Sequence, residues 1–179
     1  LQSAGTWAFK DDKIYIADNP VLQKAVDVYV NLVKSGLLIE VNNWDQYVAT
    51  FNTDKVAGAM TGCWILASVQ SNTDQKGKWA VTNIPKLDDI DNATNYSSVG
   101  GSSWLVLSNS KSKDLAIDFL SKTFAGSADL YNTILPKSSA IATWGPASGT
   151  SNYAIAHEFF GGQKIFQDIV EYGKSVPKV

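Results

Sequence analysis

The chain has 179 residues, 45% of them hydrophobic, and a net charge of −2. It can bury a real core, and its charge predicts neither nucleic acid nor an anionic membrane as partner. All fifteen basic residues are lysine. Without arginine, the preferred fork for phosphate and carboxylate, a nucleotide, phosphate or sugar-acid ligand is disfavoured.

The size fits one domain, or the larger part of a two-lobed protein. A single cysteine, Cys63, excludes an internal disulfide and a multi-cysteine zinc site. No run approaches the roughly 18 apolar residues of a membrane helix. The chain begins at Leu1 without a targeting segment, which reads as part of a longer protein.

Taken in order, "GTWAFKDDKIYI" alternates around Lys10-Asp11-Asp12-Lys13 and predicts a hairpin. "DNPVLQKAVDVYVNLVKSG" predicts a helix capped by Asp18 or Asn19, with Pro20 in its first turn and Gly36 at its end. Leu22, Val26, Tyr29, Leu32 and Val33 recur at helical spacing as its core face. A second helix is expected at about 42–53, capped by Asn43, with Trp44, Val48 and Phe51 inward. "VAGAMT" reads as a buried strand, "ILASVQS" as a short helix, and "KWAVTNIP" as a strand stopped by Pro85.

Residues 86–101 read as a polar loop, and "SWLVLS" as a strand. "SKDLAIDFLSKTF" predicts a helix with Leu115, Phe119 and Leu120 inward. "SADLYNTIL" is a shorter helix expected to break at Pro136. After a loop, "NYAIAHEFF" and "QKIFQDIVEYG" predict amphipathic helices separated by Gly161-Gly162. The expected architecture is α/β, a shell rich in helices around a small sheet.

Several chemistries fail on residue supply. His157 is the only histidine, too few for the usual zinc site, and no nucleophile-elbow pattern accompanies it. Cys63 has no basic sequence neighbour to lower its pKa, so it reads as a packed thiol. The "LDDIDN" cluster lacks the glycine and closing glutamate of a calcium loop and reads as a solvated turn. No cofactor and no metal are expected. Paired carboxylates for glycoside hydrolysis remain open from spacing alone, with Asp45, Asp54, Asp88, Asp89, Asp91 and Glu158 as candidates.

Six tryptophans are a high load. Trp64, Trp104 and Trp144 each stand between a polar or glycine-rich turn and an apolar element. An indole there can offer a flat apolar face to the C–H face of a sugar ring, while its N–H finds a partner. The alternative is that they fill a core. In "YSSVGGSSW", small residues would let a neutral polyol approach the backbone.

The succession "FNTDKVAGAMTGCW", "GKWAVTNIP" and "VGGSSWLVLSNSKSKDLAIDFLSK" resembles family 1 extracellular solute-binding proteins of bacterial ABC sugar transporters, the maltose-binding-protein-like group. The opening "GTWAFKDDKIYIADNPVLQKAVDVYVNLVKSGLL" is similar to the stretch preceding those motifs. The resemblance implies a type II periplasmic-binding-protein-like fold, with residues 1–179 as the C-terminal lobe of a two-lobed protein. It implies non-catalytic capture of a neutral sugar or oligosaccharide outside the cytoplasm, in the periplasm or on a cell-surface lipoprotein. Delivery would be to ABC transporter permease subunits, by a protein that is a monomer when intact. Carried over by position, Trp64 looks like the aromatic that stacks on sugar, and Gly100, Gly101, Ser102 and Ser103 like the inter-lobe crossing strand. Residues about 100–125 would then pack with the N-terminal lobe, and would be mobile, swapped or abnormally packed without it. A glycosidase and a sugar sensor are the competing readings.

Overall fold

The computed structural model describes residues 1–178. They cluster into two compact units. The first contains Leu1–Met60, Thr82–Ser98 and the residues from Tyr172 onward; the second contains Thr61–Val81 and Val99–Glu171.

In the first unit, β1 (Phe9–Lys10) and β2 (Lys13–Ile14) pair antiparallel. Asp11 (φ 51°) and Asp12 (φ 59°) both turn left-handed, which matches the right-handed twist of a two-residue hairpin. Helix α1 (Pro20–Lys34) follows, and Asn19 rather than Asp18 is its cap. The Asn19 Oδ1 accepts from the Leu22 amide at 3.1 Å. Its Nδ2 donates to Thr6 Oγ1 and to the Trp7 carbonyl, each at 3.1 Å. One buried side chain thus starts the helix and ties it to the strand before it. Replacing Asn19 by Ala is expected to lower unfolding stability by about 2 kcal/mol, as a lost cap plus unsatisfied buried groups; chemical denaturation measures it.

Helix α2 (Trp44–Asn52) starts on Asn43, whose Oδ1 accepts from the Gln46 amide at 2.9 Å. Phe51 is buried, with the Tyr47 ring edge-on at 4.7 Å, while Trp44 is exposed against expectation. Val26, Tyr29 and Val33 on α1 are also exposed, and Leu22 and Leu32 half-buried. The LDDIDN segment is a solvated turn, with Asp89 paired to Lys24.

The second unit holds most of the buried apolar side chains. A single 3-10 turn, Cys63–Ile65, runs into the one-turn helix α3 (Leu66–Val69) and buries Ile65, Leu66 and Val69. Helices α4 (Lys113–Lys122), α5 (Ala128–Ser138) and α6 (Ile165–Lys174) follow. Leu135, Tyr153, Phe160, Ile165 and Phe166 form the buried centre.

Three sequence expectations are corrected. First, the segments read as strands in "VAGAMT", "KWAVTNIP" and "SWLVLS" form none; the only sheet among the described residues is β1–β2. Side-chain amides take the place of ladder partners. Gln163 Oε1 accepts from the Val81 amide at 2.7 Å and its Nε2 donates to the Val81 carbonyl at 2.8 Å. In the first unit, the Ile84 amide donates to the Asn95 backbone carbonyl at 3.2 Å, and the Asn95 side-chain Nδ2 donates back to the Ile84 carbonyl at 2.8 Å.

Second, Pro136 does not break α5. Proline has no N–H to give the carbonyl four residues back. That carbonyl, on Asn132, accepts from the Asn152 side-chain amide instead, while the Asn152 backbone amide donates to Asn132 Oδ1 at 3.0 Å. Third, "NYAIAHEFF" is two 3-10 turns, Ser151–Ala154 and Glu158–Phe160, not a helix. The His157 amide donates to the Gln163 carbonyl at 2.8 Å, and its carbonyl accepts from Gly162 at 3.0 Å. Those bonds close a loop and withdraw His157 from helical pairing.

Candidate functional site

Trp64 sits in the 3-10 turn Cys63–Ile65. The next two residues, Ile65 and Leu66, are buried and anchor the turn, whereas Trp64 keeps 43% of its surface exposed. Its indole lies edge-on against two backbone stretches. A Cβ added to Gly62 would overlap Nε1, and would lie 2.8 Å from Cδ1 and 3.0 Å from the Val99 carbonyl oxygen. A Cβ added to Gly100 would lie 3.7 Å from Nε1. Gly100 (φ 73°) and Gly101 (φ 118°) have left-handed backbones that other residues rarely adopt. The structure therefore brings Trp64 and Gly100 together.

Gly101, Ser102 and Ser103 follow as exposed residues. Trp104 is 65% exposed, and one face of its ring packs on Phe124 at 4.7 Å and 32°. Trp144 is half-buried and precedes the 3-10 turn Gly145–Gly149. Trp79, by contrast, is structural: its Nε1 donates at 2.9 Å to Oε1 of the buried Gln75.

The segments that carry Trp64 and Gly100 are uncharged. No charged residue occurs between positions 56 and 73 or between 95 and 110. Burial pushes the Cys63 thiol up, which keeps it protonated and unreactive near neutral pH. Burial also pushes the Tyr153 hydroxyl up, and that oxygen accepts from the Ala142 amide at 3.0 Å. Such segments can hold an uncharged ligand through an aromatic face, hydroxyls and backbone. Among the described residues, no group of three or more His, Cys, Asp and Glu could hold a metal ion.

Sequence reasoning missed Gly62 and Phe124. A signal for Gly62 was present, a glycine two positions before a surface tryptophan. The Trp104–Phe124 contact joins residues twenty apart and has no local signature.

His157 is half-buried, its ring edge-on to Phe166 at 4.9 Å, and its Nε2 has no hydrogen-bond partner among the described residues. Burial lowers its pKa. The unfolded chain then takes up the proton first as pH falls, near the ordinary histidine value of about 6.5. Stability is full above that value and is lost as pH falls towards and through the depressed folded value. Thermal unfolding between pH 7.5 and 5.5 is expected to show a decline that His157→Gln flattens. Glu158 is held low by its exposed ion pair with Lys76, so it titrates below this window.

Residues 1–168 match the family model described as bacterial extracellular solute-binding protein. The chain is 36% identical over 180 residues to the lactose-binding protein of Rhizobium radiobacter, across 100% of this chain but 42% of that protein. It thus spans less than half the length of that curated relative. No solved structure matches. With the family model covering nearly the whole chain, the chain belongs to the bacterial extracellular solute-binding proteins.

Proposed function

We propose that the protein captures a neutral sugar or oligosaccharide outside the cytoplasm, without altering it, and hands it to an ABC importer. The observation that carries this reading is the half-exposed Trp64 indole lying beside the left-handed Gly100-Gly101 backbone, both on segments without a charged residue. A sugar's C–H face would lie on Trp64. Its hydroxyls would bond Ser102, Ser103 and the glycine backbone, with Trp104 and Trp144 as outer contacts. The lactose-binding relative supports a sugar as the ligand class. Permease subunits are the proposed partners and lipoprotein anchoring the proposed attachment. No described helix is long and apolar enough to cross a membrane.

Within this reading, residues 1–179 are the C-terminal lobe of a two-lobed, type II binding protein that acts as a monomer when intact. Its relative's greater length supports a second lobe. So does the surface at 104–120. Leu105 is 84% exposed and Leu115 is 70% exposed. Trp104, Leu105, Leu107, Phe119 and Leu120 line an apolar groove of about 310 Å³. Among the described residues, the only backbone–backbone hydrogen bond made by residues 102–107 is the Leu107 carbonyl accepting from Ser110. A free apolar stretch with open backbone groups is a strand in want of a sheet.

Calorimetric titration with lactose and a panel of oligosaccharides tests the proposal. The protein bearing both lobes should bind one of them with at least micromolar affinity; the 179-residue chain, having half a cleft, should bind far more weakly. Tight binding of a phosphorylated or acidic ligand, with none of a neutral sugar, would overturn it. The glycosidase reading has no comparable support, since the segments around Trp64 and Gly100 carry no carboxylate.

A further inference from the structure

Gly62 stands one residue before the turn that carries Trp64, and its backbone is ordinary. Its φ of −83° and ψ of 163° are extended values that any residue adopts. Conformational freedom therefore gives no reason for a glycine here. Space does. The position a Cβ would take is already filled by the pyrrole edge of Trp64, with Cδ1 at 2.8 Å and the Val99 carbonyl at 3.0 Å. A Cβ at Gly100 would come within 3.7 Å of the same Nε1. The indole edge thus rests in a slot bordered by Gly62 and Gly100, and the exposed part of the ring is what remains outside.

We infer that Gly62 is the positioning residue for Trp64, holding the indole folded back against residues 99–100 so that it presents a fixed surface to the ligand. This rests on the sugar-binding reading of Trp64 and adds to it a residue that never touches the ligand. Replacing Gly62 by Ala forces the ring to leave the slot. The clash is with a whole indole and with backbone, neither of which yields as the end of a flexible side chain does. A displaced ring loses its registry with Gly100 to Ser103, and an ångström of misplacement is enough to weaken an aromatic contact. Gly58 supplies the control: a Cβ there meets nothing within 4 Å.

The test labels the six tryptophans with 5-fluorotryptophan and assigns the Trp64 fluorine resonance by its loss in Trp64→Phe. In ligand-free protein, Gly62→Ala should move that resonance, and Gly58→Ala should leave it in place. An unmoved resonance in Gly62→Ala overturns the slot. In the full-length protein, Gly62→Ala should weaken lactose binding about tenfold, equivalent to ~1.4 kcal/mol, with Gly58→Ala unchanged. Wild-type affinity in Gly62→Ala, where Trp64→Ala does weaken binding, also overturns it.

Should Gly62→Ala fold poorly, the double variant Trp64→Ala/Gly62→Ala decides. Stability equal to Trp64→Ala supports the slot, since the indole was the obstacle; the same defect in both backgrounds refutes it. Failure of the sugar reading is seen separately: Trp64→Ala would then bind lactose as the wild type does, while the fluorine shift would still report on the slot.

Discussion

Under the proposed sugar-binding reading, replacing Trp64 by Ala in the full-length protein is expected to raise the Kd for that sugar by roughly 30-fold or more, about 2 kcal/mol. Trp64 combines a large apolar face, partial exposure and a fixed edge. A rigid aromatic loses little conformational entropy when a ligand docks on it. Trp64→Phe should recover part of the affinity, because a smaller ring still offers a flat face. Trp104→Ala should cost less, about threefold, since one face of that ring is already taken by Phe124. Titration calorimetry separates these outcomes. A Trp104 effect larger than the Trp64 effect would move the site along the chain.

Leu135→Ala is expected to cost about 3 kcal/mol of unfolding stability. Leu135 is 0% exposed, so truncation leaves a cavity that a packed interior fills only in part. Its helix is held in place by the Asn132–Asn152 amide pair, which restricts the backbone movement needed to close the gap. The contrast is Leu115, 70% exposed on α4. In the 179-residue chain, Leu115→Ala should change stability by less than about 0.5 kcal/mol. In a protein carrying both lobes, a cost of about 2 kcal/mol at the same position would indicate that the second lobe covers this face. Urea denaturation of each variant beside its parent reads both effects.

Local signals read well in this chain. The hairpin, the Asn43 cap and the end of α1 at Gly36 all form as the sequence predicts. Each depends on residues within a few positions: two aspartates that tolerate left-handed backbone, an amide oxygen facing the first turn, a glycine that ends a helix. The strands did not follow. An apolar run earns the name of strand only when a distant backbone ladder pairs with it; at Val81 the partner is the Gln163 side-chain amide, and Ile84 meets a single residue, Asn95, through one backbone and one side-chain bond.

Pro136 failed for a related reason. Its effect on a helix depends on who takes the orphaned carbonyl, and Asn152 lies sixteen residues further on. The expectation that Leu115 and Phe119 point inward is not met: both side chains are exposed. Periodicity says which residues share a face, and nothing about what covers it.

The sequence alone determined that arginine is absent and that the stretches carrying Trp64 and Gly100 are uncharged, and it carried the family resemblance. Charge and residue type belong to the chain whatever its conformation. Only the tertiary structure decided which tryptophan meets which backbone. Trp64 lies beside Gly100, thirty-six residues away in the chain, while Trp104 is partly spent on Phe124. Contacts between distant residues arise from packing of whole elements, where steric exclusion acts on shapes that no local pattern encodes.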